Sequence, residues 1–458
     1  MAFALDKRNR FLLLNPPFKR KILRDYYCCT YSKAGYLWQP IDLLVQSGIL
    51  CESGSVAVID AVAKGMSRES VVGAATDFRP TAVFCLVGSL SVKSDADLLL
   101  EIKNKTGARI VVSGDACLER PEEFLDKRAY IDAILFDFTS SDILRFSEDD
   151  FENADSSAYR RNGEIKLRRI RKRKEFRYPV PCHDKFESLS YKMPLVPSEF
   201  KTVSASFGCP YSCAFCNSGV SSLGFSFRNH ENLMEEIASL SSRGARHIFF
   251  KDMTFGVDEA RTERLCRELV DAAKGLTWHA YTRLDLLDEQ RIGMYSEAGC
   301  RLLQMGIETA DAELGRSMGK NVDIARAREI FGMMKKKGIA AGAHFILGLP
   351  GESAKSAFST AVAAVRLDPG YASFNVFVSR PGSKLRESGG VAKETSSTAG
   401  FVARLAYALF YMRPSKVLFL MKKTKWETSL ASFAEAVRYI LFMPEARRDR
   451  ANRKAALP

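Results

Sequence analysis

The chain has 458 residues, 46% of them hydrophobic and 27% charged, which is enough for two to three domains of ordinary globular protein. Its net charge of +14 is concentrated: Arg160–Arg177 carries a surplus of eight and Glu445–Pro458 a surplus of three, so the remainder is nearly balanced and the composition does not describe a dedicated nucleic-acid binder. No apolar stretch reaches the roughly 20 uninterrupted residues a membrane span needs, and Met1–Arg10 is charged, so the expected location is the cytoplasm.

In chain order, Arg10–Asn15, Ser55–Val62, Thr81–Gly88, Ala108–Ser113 and Ile131–Phe136 read as buried strands. Helical patterns at Gln39–Leu50 and Ser91–Lys105 lie between them. Such alternation predicts an α/β fold, with a doubly wound parallel sheet over residues 1–147. Residues 148–201 are polar, basic and proline-bearing, the composition of a linker. A second series follows: Thr202–Ser206, His247–Phe250, Leu276–Tyr281, Leu302–Ile307, Ala341–Leu347 and Phe374–Val378. Six strand–helix repeats over residues 202–386 predict a partial or complete α/β barrel of the TIM type. From 387 to 458 the apolar spacing in Phe401–Met412 and Leu430–Phe442 predicts a helical region. Basic edges around Arg413–Lys425 would let such a helix rest on an anionic bilayer, giving peripheral membrane contact.

Eleven cysteines in a cytoplasmic chain point to metal or redox use at some of them. "SFGCPYSCAFCNS" (206–218) places Cys209, Cys213 and Cys216 on one loop. A zinc site ordinarily takes four ligands, and Cys182 or His183 would have to return as the fourth. A disulfide does not suit the compartment. Three thiolates can instead hold three irons of a cubane and leave the fourth iron open.

That spacing, after a strand and with the aromatic Phe215 before the last cysteine, resembles the signature of the radical S-adenosylmethionine (SAM) enzymes. Later segments resemble the family's successive strand ends: "HIFFKDMTFGVD" (247–258), "LTWHAYTRLDLL" (276–287), "AGCRLLQMGIETADAELGRSMGK" (298–320), "HFILGLPGES" (344–353) and "FNVFVSRPGSKL" (374–385). The resemblance implies that Cys209, Cys213 and Cys216 hold a 4Fe–4S cluster whose open iron chelates SAM. Reductive cleavage of SAM would then yield a 5′-deoxyadenosyl radical. By the same resemblance Glu308 binds the ribose hydroxyls, and Gly348 and Gly351 let backbone approach the nucleoside. Phe215 covers the cluster or a base, and Asp252 and Arg283 face the methionine ends. A flavodoxin- or ferredoxin-type electron donor is implied as a partner.

The domain ahead of the barrel resembles that of the cobalamin-binding radical SAM group, which includes methylases and cyclases of the magnesium-protoporphyrin type. "LLLNPP" (12–17) runs from a first strand into Asn-Pro-Pro as in that group. Ser89 in "VGSLSV" (87–92) and Gly114 in "VVSGDA" (111–116) stand where corrin-binding strand ends are expected. "LFDFTSSD" (135–142) departs from the usual exit. The five histidines are His183, His230, His247, His279 and His344, so this domain supplies no histidine to cobalt. The leading expectation is a cobalamin-dependent C-methyltransferase of a small molecule or lipid. The alternatives are a cyclase or oxidoreductase with a degenerate first domain, an RNA-modifying enzyme, and a nucleic-acid or membrane-surface protein with a structural cluster.

Overall fold

Arg10–Asn15 (β1) is apolar from Phe11 to Leu14 and buried on both faces, as a central strand of a parallel sheet must be. The computed structural model describes residues 9–423, apart from 28, 34, 149, 169–173, 187–190, 194, 197–198, 218–223, 273–274, 321, 381 and 388–396. The helix expected at Leu430–Phe442, the basic tail, Cys28 and the middle of the basic stretch lie outside the described residues.

β1 is flanked by Ser55–Asp60 (β2) on one side and Ala82–Leu86 (β3) on the other, followed by Arg109–Ser113 (β4) and Ala133–Leu135 (β5), all parallel. The order β2-β1-β3-β4-β5 is that of a doubly wound sheet, whose ligand crevice lies at the carboxyl ends between β1 and β3. β2 stops at Asp60 and not at Val62, because the Asp60 carboxylate accepts the Ala63 N–H at 3.0 Å and starts a short helix at Ala61–Lys64.

Within the stretch read as a linker, Ser157–Arg161 (β6) and Glu164–Arg168 (β7) form an antiparallel hairpin that extends this sheet past β5. β7 alternates: Glu164, Lys166 and Arg168 are exposed, while Ile165 and Leu167 turn inward. Part of the basic surplus is therefore a charged edge strand, which discourages pairing with other chains.

Lys201–Val203 (β8), His247–Phe250 (β9), Thr277–Thr282 (β10), Cys300–Glu308 (β11), Ala340–Leu347 (β12) and Tyr371–Val376 (β13) form a second parallel sheet in strict chain order. Alternate residues serve two cores. Ile248, Phe250, Trp278, Leu303 and Phe345 pack with the surrounding helices, whereas Phe249 on the other face joins the core of the first sheet.

The joint is made by the chain after β1. An antiparallel pair, Ile22–Arg24 with Cys29–Tyr31, reaches toward the second sheet. Beyond it Lys33 Nζ donates to Ser373 Oγ at 3.0 Å, the Phe374 carbonyl at 3.0 Å, Asn375 Oδ1 at 2.6 Å and the Tyr407 hydroxyl at 3.2 Å. One ammonium thus ties the first unit to β13 and to the helix Ser397–Tyr411.

Candidate active site

The segment from Phe207 to Asn217 follows β8 and is pinned at several points. Gly208 has φ 78°, a conformation open to glycine, and a Cβ there would strike the Gly224 carbonyl. Its N–H donates to the Tyr27 hydroxyl at 2.7 Å, and Asn217 Nδ2 donates to the Tyr27 carbonyl. The Ala214 N–H donates to the Met318 carbonyl at 2.9 Å, and the Leu385 N–H to the Ala214 carbonyl at 3.1 Å. The loop is therefore held by the chain after β1 and by the exits of β11 and β13.

Cys209, Cys213 and Cys216 are half-buried, and none is in a disulfide. Cys209 Sγ lies 3.3 Å from Thr254 Oγ1. Arg283, leaving β10, donates Nη1 to Cys213 Sγ at 3.6 Å. Its Nε and Nη2 meet Asp285 at 2.9 and 2.7 Å, and its guanidinium lies 3.9 Å over the Tyr211 ring. Burial pushes the Cys213 thiol up, and Lys320 and Arg283 pull it back toward the thiolate. Among the described residues no three His, Cys, Asp or Glu side chains converge on a common point, so the sulfurs share a loop without closing on a centre. Three thiols on a pinned loop beside two cations suit a cluster, since thiolate is the ligating form and each cation favours it.

Glu308 ends β11. The register slips between Gly306 and Glu308, which aims the carboxylate across the strand end. Glu308 also has φ 64°, which costs a non-glycine residue about 1–3 kcal/mol. Its Oε1 accepts from Lys320 Nζ at 2.7 Å.

At the end of β12, Gly348 and Gly351 have φ 83° and 87°. The Gly348 N–H donates to Glu352, whose carboxyl is pushed up to about 7 by burial and then by Asp311, against the lowering effect of that N–H. Phe215 packs with Leu314, Met318, Leu349 and Phe377, an apolar group between the cysteine loop and these strand exits.

Asp252, expected at a methionine end, is engaged with backbone through one oxygen. It is buried, and its Oδ1 accepts the N–H groups of Ala205 at 2.8 Å and Ser206 at 3.1 Å. It holds the backbone that leads into the cysteine loop. Burial raises its carboxyl to about 6, although those N–H groups oppose the rise.

Sequence reasoning passed over Thr254, Glu352 and His344, although each lies in a quoted motif. His344 sits on β12 between Tyr281 and Tyr371, with ring centroids 6.0 and 5.9 Å away. Its Nε2 is buried without a partner among the described residues. Burial, then Lys33 and Lys320, lower its pKa to about 3, so the ring is neutral.

Residues 203–360 match the sequence profile of the Radical SAM superfamily. The chain carries a radical SAM domain. Such a domain implies a 4Fe–4S cluster and SAM, and the cysteine loop stands at the carboxyl end of the second sheet, where α/β barrels build their sites. Beyond this domain the chain is similar to an uncharacterized methyltransferase of Pyrococcus horikoshii, 25% identical over 446 residues, covering 89% of this chain and 94% of that protein. Its fold is similar to the radical SAM methyltransferase TsrM of Kitasatospora setae, solved with cobalamin and a [4Fe-4S] cluster: TM-score 0.63, 17% identity, 85% of this chain and 76% of that one. It is also similar to the cobalamin-dependent radical SAM enzyme OxsB with aqua-cobalamin bound: TM-score 0.63, 15% identity, 84% of this chain and 56% of that one.

In the first unit, side chains from the segments that follow β1 and β3 meet one another beyond the strand ends. Arg24 Nη2 meets Asp95 Oδ1 at 2.8 Å, Nη1 meets Asn15 Oδ1 at 2.8 Å, and Nε meets Ser91 Oγ at 3.1 Å. Both partners of the ion pair are fully buried. Ser89 donates its N–H and its hydroxyl to Asp115, each at 2.8 Å, and Gly114 has φ 115°. Next to Gly114, the Ser113 hydroxyl is buried at the end of β4 without a partner among the described residues. The unpaired Ser113 hydroxyl beside Gly114 would suit a polar ligand such as a corrinoid at these strand ends, and residues 1–147 contain no histidine to offer it.

Proposed function

We propose that this radical SAM enzyme is a methyltransferase that holds cobalamin between its two sheets. The observation that carries the reading is the joint at Tyr27. The chain leaving β1 of the doubly wound sheet is hydrogen-bonded to Gly208 and Asn217 of the cysteine loop, which ties the carboxyl end of β1 to that loop. Glu119, in the chain after β4, meets Arg386, beyond β13, at 3.3 Å across the same joint. The likeness to a methyltransferase along most of the chain supports the reaction class, and the two-unit fold supports the cofactor pair.

When bound, the cluster supplies the electron that splits SAM, and cobalamin supplies a cobalt that carries a methyl group. The chain's own residues do the positioning. Cys209, Cys213 and Cys216 ligate iron, with Arg283 and Lys320 stabilising thiolate at Cys213. The Glu308 carboxylate accepts from the two ribose hydroxyls, with Lys320 fixing its rotamer. Gly348 and Gly351 leave room for the nucleoside, and Phe215, Met318 and Leu349 exclude water on its apolar side. Ser89 and Gly114 border the corrinoid. Neutral His344 offers a ring nitrogen to the substrate.

The substrate class supported is a small molecule or lipid that fits between the sheets, with a flavodoxin- or ferredoxin-type reductant. Exposed Phe401 on the helix Ser397–Tyr411, Leu418 on the helix Pro414–Lys423 and Met412 between them support peripheral contact with an anionic membrane. No helix of the described residues is long and apolar enough to cross one. Salt-sensitive pelleting with anionic vesicles checks that contact.

Anaerobic purification from cobalamin-fed cells, cluster reconstitution and ultraviolet–visible spectroscopy test the main reading. A corrin spectrum retained through gel filtration is expected, with a separate cluster band lost when Cys209, Cys213 and Cys216 are all changed to Ala. A cluster band without corrin would overturn the cobalamin reading and favour cyclisation or oxidation.

A further inference from the structure

Outside the active site, two half-buried cysteines far apart in sequence meet where the first unit joins the chain entering the second. The helix Ile41–Cys51 lies against the segment 179–182. The approach is close because position 48 is glycine: a Cβ there would stand 2.5 Å from the Pro179 carbonyl and 2.8 Å from that of Val180. One residue earlier, Ser47 Oγ accepts the Cys182 N–H at 2.9 Å, and the Cys182 thiol points at the Ser47 carbonyl at 3.6 Å. Cys51 follows Ser47 by four residues, so the two share one helix face a single turn apart. That spacing brings the Cys51 sulfur beside the Cys182 sulfur.

We propose that Cys51 and Cys182 form an oxidation site, closing to a disulfide when a peroxide-class oxidant reaches them. The reaction needs no further component. The Cys182 sulfur attacks one peroxide oxygen, the O–O bond breaks, and the leaving hydroxide takes a proton to become water. The Cys51 sulfur then displaces hydroxide from the sulfenic acid, forming the S–S bond and a second water. Two thiols and one hydrogen peroxide give one disulfide and two waters.

Two features separate this pair from the other cysteines outside the loop. Cys29, Cys85, Cys117, Cys266 and Cys300 are buried, and burial raises every one of their thiols. Cys51 and Cys182 are part-exposed, and the two thiols act on one another, Cys51 being raised and Cys182 lowered. Cys51 holds the Cys182 thiol below its ordinary value, with burial and Asp184 opposing and Lys185 and Arg243 adding to the effect, so Cys182 is the attacking sulfur.

The consequence follows from what each cysteine is attached to. His183, next to Cys182, meets Glu236 at 2.7 Å, and Glu236 is paired with Arg228, just past the cysteine loop. A disulfide would staple the doubly wound sheet to the chain that anchors this buried network.

The test uses the full chain with Cys209, Cys213 and Cys216 changed to Ala, so that no cluster consumes oxidant, and repeats it on wild type. The protein is exposed to stoichiometric hydrogen peroxide, alkylated, unfolded, alkylated with a second reagent and digested without reduction. A dithiothreitol-reversible cross-linked peptide pair containing Cys51 and Cys182 is expected as the main oxidised species, with a raised thermal midpoint. C51S should lose both and instead accumulate higher oxides at Cys182. Cys51 and Cys182 both remaining alkylatable after peroxide would overturn the proposal. So would a cross-link that forms only in denaturant.

Discussion

Glu308 and Lys320 form an ion pair at 2.7 Å directly above Gly306, where a Cβ would collide with both side chains. The glycine is needed for the close approach of the pair rather than for its own dihedral angles. The Gly306→Ala variant should therefore push the carboxylate off the strand end. About tenfold weaker SAM binding is expected, equivalent to about 1.4 kcal/mol. Gly332→Ala, where a Cβ meets nothing within 4 Å, serves as the control. Equilibrium binding of SAM to reconstituted enzyme reads the difference.

Asp252 makes a pH prediction. Its folded-state pKa of about 6 lies above the ordinary 3.8, so folding favours the protonated form. The contribution to stability is complete below pH 3.8 and is lost as pH rises through 6. Asp252→Asn keeps an oxygen for the Ala205 and Ser206 N–H groups and does not titrate. From pH 5 to pH 7 the stability difference should move by about 1 kcal/mol in favour of the variant. Urea unfolding at both pH values measures it.

His344 buries a ring nitrogen without a partner, which costs stability unless a ligand takes it. His344→Leu should match or exceed wild type in stability by about 1 kcal/mol while retaining its cluster band. A loss of several kcal/mol on urea unfolding would show that the imidazole has a structural partner. Retained methyl transfer, once a substrate is known, would remove His344 from the site.

Arg24 and Asp95 form a fully buried ion pair, so removing one charge strands the other. Asp95→Ala should cost about 3–5 kcal/mol. Adding Arg24→Met should restore most of it, because the stranded guanidinium is gone. Denaturant unfolding of the two variants and wild type closes the cycle.

Both sheets were legible because their strands are short apolar runs separated by helical patterns, and runs such as FLLL and HIFF need no distant partner to be read. The cysteine loop stood out by its spacing together with the strand-end segments that follow it, which lie in the span matching the radical SAM profile. The backbone bonds of Asp252 were not legible for a physical reason: a carboxylate at a strand end can face a ligand or cap nearby backbone, and the sequence around it is the same either way. The hairpin Ser157–Arg161 with Glu164–Arg168 was hidden by its charge, since an edge strand keeps only its inward residues apolar.

The amino-acid sequence by itself determined the succession of strands along the chain, three cysteines on one loop and the absence of any histidine from residues 1–147. Those are properties of local pattern and residue type. Tertiary structure decided which face of β9 each residue serves, with Phe249 packing on the first unit and Phe250 on the second. It also decided that Lys33 reaches β13, that Arg24 pairs with Asp95, and that Cys51 meets Cys182. Each of these is a contact between residues far apart in the chain. A parallel strand buried on both faces shows no alternation, and a side chain's partner depends on which distant backbone folding brings to it.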